Sequence, residues 1–306
     1  MPDGSSDRVL IREVGPRDGF QNEPDTIATA DKVELIDLLA RTGIPRLELT
    51  SFVRADVIPQ LADAADVLRS VDIPATVSRS VLIPNERGLD NALGLREHFD
   101  EIGVFVSASE THNAKNVNRT CEQTLAGIDA TVARALEASL GVEAVIATAF
   151  GCPYEGQVDA DRVFGFVRRL IDAGAQEIGF GDTTGMANPV QVHRFFTQAV
   201  AAFGDEVLLT AHFHNTRGQG LANAVAAWQA GCTSFESSFG ELGGCPVPAG
   251  ATGNIATEDL VCLLHEMGVQ TGADLSLVLD AARAAARILG RPLGSHTLVA
   301  GPIAWG

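Results

Sequence analysis

Short apolar runs and longer amphipathic stretches alternate along almost the whole chain. The short runs are rich in β-branched residues and bounded by turn formers, which predicts buried strands. Eight are legible, at residues 9–14 (VLIREV), 46–52 (RLELTSF), 75–83 (ATVSRSVLI), 101–109 (EIGVFVSAS), 144–150 (AVIATAF), 177–183 (EIGFGDT), 207–214 (VLLTAHFH) and 234–240 (SFESSFG). Helical period separates them. Val33, Ile36, Leu39 and Ala40 form one apolar stripe, and Gly43 is placed to end that helix. The stretches CEQTLAGIDATVARALEASLG, DADRVFGFVRRLIDAGA and GLANAVAAWQAG read the same way.

Eight βα units without a Gly/Ser-rich linker predict an α/β fold, a (β/α)8 TIM barrel, with a doubly wound open sheet as the alternative. The tail adds DLSLVLDAARAAARILG, with Leu275, Val278, Leu279 and Ala282 on one face. The expected organisation is one catalytic domain over 1–306, a disordered lead at 1–7 and a C-terminal helical cap from about 270 to 306.

Composition narrows the function. A content of 46% hydrophobic and 20% charged residues suits a soluble globular protein. The formal net charge of −17 argues against nucleic-acid or anionic-membrane binding. No apolar run has the length of a membrane span, and MPDGSSDR has no apolar leader. The five cysteines are scattered, forming neither a disulfide framework nor a paired zinc motif, so a reducing cytoplasm is expected.

A barrel places its chemistry at the carboxyl ends of the strands. His212 and His214 lie two apart at the end of the seventh strand, so they share a face. They are metal ligands or hydrogen-bonded core histidines. Arg17 and Asp18 follow the first strand, Glu48 lies in the second, Asp182 ends the sixth, and the eighth leads to Cys245 and Asn254. A carboxylate, two imidazoles and an amide carbonyl at one mouth suit Mg²⁺ or Mn²⁺ better than structural zinc. Cys245, flanked by glycine and proline, is either an inert small hydrophobe or an acid–base thiol.

The segments VGPRDGFQNE, LELTSFV, SVLIPNERG, SASETHNAKN, GCPYEG, GDTTGMANP, HFHNTRGQGLANA and GELGGCPVPAGATGNIATEDLV resemble the 3-hydroxy-3-methylglutaryl-CoA lyases. These are (β/α)8 members of a metal-dependent lyase and synthase superfamily. The resemblance spans roughly residues 8 to 295. It implies cleavage of an acyl-CoA to acetyl-CoA and acetoacetate, a place in leucine degradation, and a homodimer. It implies that Asp18, His212, His214 and Asn254 hold the cation. Arg17 would stabilise the enolate of acetyl-CoA, Cys245 would relay its proton, and Glu48 and Asp182 would orient water and transfer protons. His212 counts among the catalytic set as well as the ligands. Coenzyme A contacts are expected at Asn113, Lys115 and Tyr154.

The cysteine after the eighth strand points to the lyases rather than the related Claisen synthases. Two departures stand out: the family usually has Asp-Thr-Tyr-Gly after the histidine pair and Leu at position 20, where this chain has Asn215, Arg217 and Phe20. Arg217 either pairs with a substrate carboxylate or CoA phosphate or stands solvated at the start of a helix. The departures leave open a paralogue acting on citramalyl-CoA or a longer 3-alkylglutaryl-CoA. A condensing synthase and a barrel without chemistry are the more distant alternatives.

Overall fold

Parallel strands cannot be joined by tight hairpins, so each apolar run must be followed by a crossover. A computed structural model describes residues 7–244 and 252–304 and shows this throughout. The strands are β1 (Leu10–Glu13), β2 (Arg46–Ser51), β3 (Ser78–Leu82), β4 (Glu101–Ser107), β5 (Gly141–Ala147), β6 (Glu177–Asp182), β7 (Leu208–Phe213) and β8 (Ser234–Ser237). Each pairs in parallel with the next, and β1 pairs with β8, which closes a barrel and excludes the open sheet.

The strands are shorter than their apolar runs, β3 and β8 most of all, except β5, which lies three residues earlier than predicted. β3 starts at Ser78 because the Val77 amide turns back onto the Pro74 carbonyl. β8 stops at Ser237, and Phe239–Glu241 makes one tight turn with Gly240 at φ 64°. The buried Glu13 carboxylate accepts from the Phe239 amide and so ends the strand.

Leu47, Leu49, Val104, Ile146, Ile178, Phe180, Ala211, Phe213 and Phe235 are buried in one apolar core with the surrounding helices. The predicted cap forms a helix over Leu275–Leu289, started by the Asp274 side chain and stopped by Gly290 at φ 64°. It packs on the helix Thr29–Leu39, and the Asp274 amide donates to the Thr42 carbonyl at 2.7 Å. The Asp7 carbonyl accepts from the Gln270 amide at 2.8 Å.

The barrel interior departs from the usual filling of branched aliphatic side chains. Arg12 is 1% exposed and pairs with Glu101, Glu143, Glu177 and Glu236. Arg46 meets Glu101 and Glu177 from the next strand. Gly179 of β6 lies against this layer: a Cβ there would meet Val145 Cγ2 at 3.1 Å and Glu143 Oε1 at 3.4 Å. The charged layer lies under the mouth where the predicted site residues gather.

Candidate active site

β1 delivers two of them. Gly15–Gly19 forms a single wide helical turn in which the Arg17 and Asp18 amides both donate to the Val14 carbonyl. Glycine is required at 15, because a Cβ would overlap the Phe239 ring. Arg17 Nε donates to Glu48 Oε2 at 2.7 Å, and its Nη1 donates to Asp18 Oδ1 at 2.8 Å. Asp18 Oδ2 accepts from Asn254 Nδ2 at 2.7 Å. Asn254 bridges to His214 through the backbone, which brings the loop after β8 onto the end of β7.

His212 and His214 point the same way, as their spacing predicts, and are 9% and 5% exposed. Their Nε2 atoms are 3.1 Å apart, and His212 Nδ1 lies 2.8 Å from Glu236 Oε2. One ligand atom each from Asp18, His212 and His214 fits within a span of 4.8 Å. Among the described residues, His214 Nδ1 and Asn254 Oδ1 are buried without a hydrogen-bond partner. Buried polar atoms are normally satisfied. A divalent cation taking Asn254 Oδ1 and the facing imidazole nitrogens would satisfy the carbonyl and separate two lone pairs. Cis ligands at about 2.1 Å in an octahedron sit about 3.0 Å apart, close to the 3.1 Å observed. The residues fit a metal site.

Electrostatics divides the carboxylates. Burial pushes Asp18 up, but Arg17 and then the two histidines outweigh it and hold the carboxyl below its ordinary range. Burial raises Glu48 to about 7 despite Arg17. Burial also raises Asp182 to about 7, against the Ala187 and Met186 amides that donate to its Oδ1. Asp182 Oδ2 is buried with no partner among the described residues. His214 is driven down to about 3 by burial and by the charge of His212.

The remaining expected residues separate into three groups. Arg217 is exposed just ahead of its helix, and its Nη1 donates to the Thr184 and Gly185 carbonyls at 3.0 and 2.7 Å. Its charge reaches Asp182. Lys115 Nζ lies 5.0 Å from the centre of the Tyr154 ring, and Tyr154 is 42% exposed. The pair sits on the rim after β4 and β5.

Asn113 does not join them. It is 1% exposed, its carbonyl accepts from the Ser107 amide, and its amide donates to Arg119 O and Thr124 Oγ1. Both atoms of its side-chain amide are engaged within the chain, so a coenzyme contact there would have to share one of these bonds. Phe20 is fully buried, edge-on to Phe239 at 5.6 Å. Cys245 lies outside the described residues.

Glu236 was missed from the sequence. The signal was present in SFES, where an acid at an inward position of β8 sits beside His212 in the register.

The HMGL-like family model matches residues 8–284. The chain belongs to the HMGL-like family. A hydroxymethylglutaryl-CoA lyase of Bacillus subtilis is 44% identical over 292 residues, covering 95% of this chain and 96% of that protein. An (R)-citramalyl-CoA lyase of Chloroflexus aurantiacus is 40% identical, covering 96% and 95%. The structure of an HMG-CoA lyase from Acinetobacter baumannii in complex with coenzyme A and 3-methylmalate aligns with a TM-score of 0.91 at 38% identity, covering 97% and 96%.

Proposed function

We propose that this HMGL-like barrel is a hydroxymethylglutaryl-CoA lyase. It splits 3-hydroxy-3-methylglutaryl-CoA into acetyl-CoA and acetoacetate, with Mg²⁺ or Mn²⁺ held by Asp18, His212, His214 and Asn254. The observation that carries the reading is the convergence of these four with Arg17, Glu48 and Asp182 at one mouth. When bound, the cation supplies Lewis acidity to the tertiary hydroxyl of the substrate.

The chain's own groups then divide the work. Asp182 is anchored through Oδ1 and has Oδ2 unused, so it is the group suited to accept the hydroxyl proton. As that proton leaves, the hydroxyl-bearing carbon becomes the ketone of acetoacetate and the C2–C3 bond breaks. The bond's electron pair passes into the enolate of acetyl-CoA. Arg17, aimed by Glu48, stabilises the enolate oxygen. The Cys245 thiol, given this role by the family resemblance, protonates the enolate carbon. Lys115 and Tyr154 are the proposed rim contacts for the coenzyme. The same reading takes the protein as a homodimer working in the cytoplasm.

The test is product analysis by mass with HMG-CoA, citramalyl-CoA and a longer 3-hydroxy-3-alkylglutaryl-CoA, each with Mg²⁺ or Mn²⁺. Acetoacetate from HMG-CoA at a kcat on the order of 1–10³ s⁻¹ is expected. His212→Ala and Cys245→Ala are each expected to abolish turnover with the fold intact, and full activity in either sinks the mechanism. The second reading, citramalyl-CoA cleavage, is favoured by Arg217 and by the 40% identity to the Chloroflexus enzyme. Fast release of pyruvate with slow turnover of HMG-CoA would select it.

A further inference from the structure

The histidine pair is not symmetric. His212 Nδ1 faces Glu236 Oε2 at 2.8 Å, while His214 Nδ1 is buried with no partner among the described residues. A hydrogen bond from Nδ1–H to a carboxylate fixes the tautomer and leaves the lone pair on Nε2. That Nε2 is the atom turned toward His214 and Asp18. Glu236 is itself held from behind. It is 4% exposed, and its Oε1 lies 3.6 Å from Arg12 Nη1. Arg12 stands opposite Glu236 in the β1–β8 register and is tied to Glu101, Glu143 and Glu177 on three further strands.

We infer that Glu236 is a positioning residue that presets His212 as the metal ligand, and that Arg12 fixes Glu236 from the barrel interior. This rests on the metal-dependent reading above. Metal-ligating histidines ordinarily have such a partner on the second nitrogen, and its loss costs about 10- to 100-fold in metal affinity. Among the described residues His214 has none, so such support reaches the pair through Glu236 and His212. Arg12 and Arg46 also face Glu101, Glu143 and Glu177, so both guanidiniums keep carboxylate partners when Glu236 is neutralised.

The experiment is Mn²⁺ titration of the full chain, reading free Mn²⁺ by electron paramagnetic resonance without substrate, on wild type, Glu236→Gln and Glu236→Ala. The Gln variant keeps the shape and an acceptor oxygen, so it carries the test if Ala does not fold. Expected is a Kd raised about 10-fold in Gln and about 100-fold in Ala. The Mn²⁺ concentration for half-maximal activity should rise with it, while kcat at saturating Mn²⁺ changes little. Wild-type binding with unchanged Kd in Glu236→Gln overturns the inference and leaves the metal reading standing. A wild type that binds no Mn²⁺ overturns both.

Discussion

Single residues separate the chemistry from its support most sharply at Glu13. It is fully buried and accepts from the Gly15 and Phe239 amides and from Thr257 Oγ1. Burial is the largest influence and outweighs those donors, so its pKa rises from 4.5 to about 8. The folded form therefore keeps a proton that the unfolded chain gives up above 4.5. The contribution is fully present below pH 4.5, falls as pH rises through the window to about 8, and is flat above it. Glu13→Gln mimics the protonated carboxyl, since its amide can donate to Thr257 Oγ1, which donates onward to Ser237 Oγ. Urea melts at pH 5 and pH 8 check this. Relative to wild type, the variant should gain stability with pH, at no more than about 1.4 kcal/mol per pH unit. A pH-independent difference would mean that Glu13 is ionised in the native state. Phe20 gives a second residue-scale prediction. Because its ring packs on Phe239 and its only link to Arg17 in the turn is through the backbone, Phe20→Leu should cost about 1 kcal/mol in chemical denaturation. Its relative kcat/KM values across the acyl-CoA panel should not move.

Elements deliver the site through their ends, and the ends are where backbone geometry is tightest. Gly243, on the return from β8, has φ 93°, and a Cβ there would come within 2.5 Å of Asn254 Nδ2 and 2.8 Å of Asp18 Oδ2. Gly243→Ala should therefore push on the ligand set rather than the core. The expected result is at least a tenfold loss of kcat/KM with the melting temperature within a few degrees of wild type. A variant that loses stability but keeps activity would place the strain elsewhere. This scale also shows what the sequence could and could not reveal. Period and β-branching made all eight strands readable, and the i, i+2 spacing turned His212 and His214 to one face. Asp18 and Asn254 could be grouped with them because strand ends of one barrel share one mouth. Asn113 looked equally available in SASETHNAKN. Its amide is taken up by Ser107, Arg119 and Thr124, and such a local network leaves no mark on periodicity. Glu236 was hidden for the opposite reason: one acid in a four-residue strand gains meaning only when the register sets it beside His212. Arg217 was left between two readings because its partners, the carbonyls of Thr184 and Gly185, belong to a different loop.

At the scale of the molecule, the four proposed metal ligands span the seam that closes the barrel. Asp18 follows the first strand, and Asn254 is bonded to it from 236 residues further along the chain. The histidines end β7, next to β8, which pairs with β1. A cation held by these four residues cross-links the first strand to the last two, on top of their backbone pairing. Closing that seam joins the two ends of the chain, the costliest loop the fold must form. Binding at 100 times the dissociation constant stabilises a native state by about 2.7 kcal/mol. For 306 residues, with an unfolding entropy of about 2.1 cal/mol/K per residue, that raises Tm by about 4 °C. Calorimetry with Mn²⁺ and then with chelator should show this shift. Hydrogen exchange should show where it acts. Protection lost on chelation should concentrate in β1, β7 and β8 and the turns that follow them, while β3, β4 and β5 exchange as before. These three central strands pair only with their sequence neighbours and hold none of the four ligands. Uniform loss of protection would mean that the cation supports the fold as a whole, and no loss anywhere would mean that the four residues do not hold one.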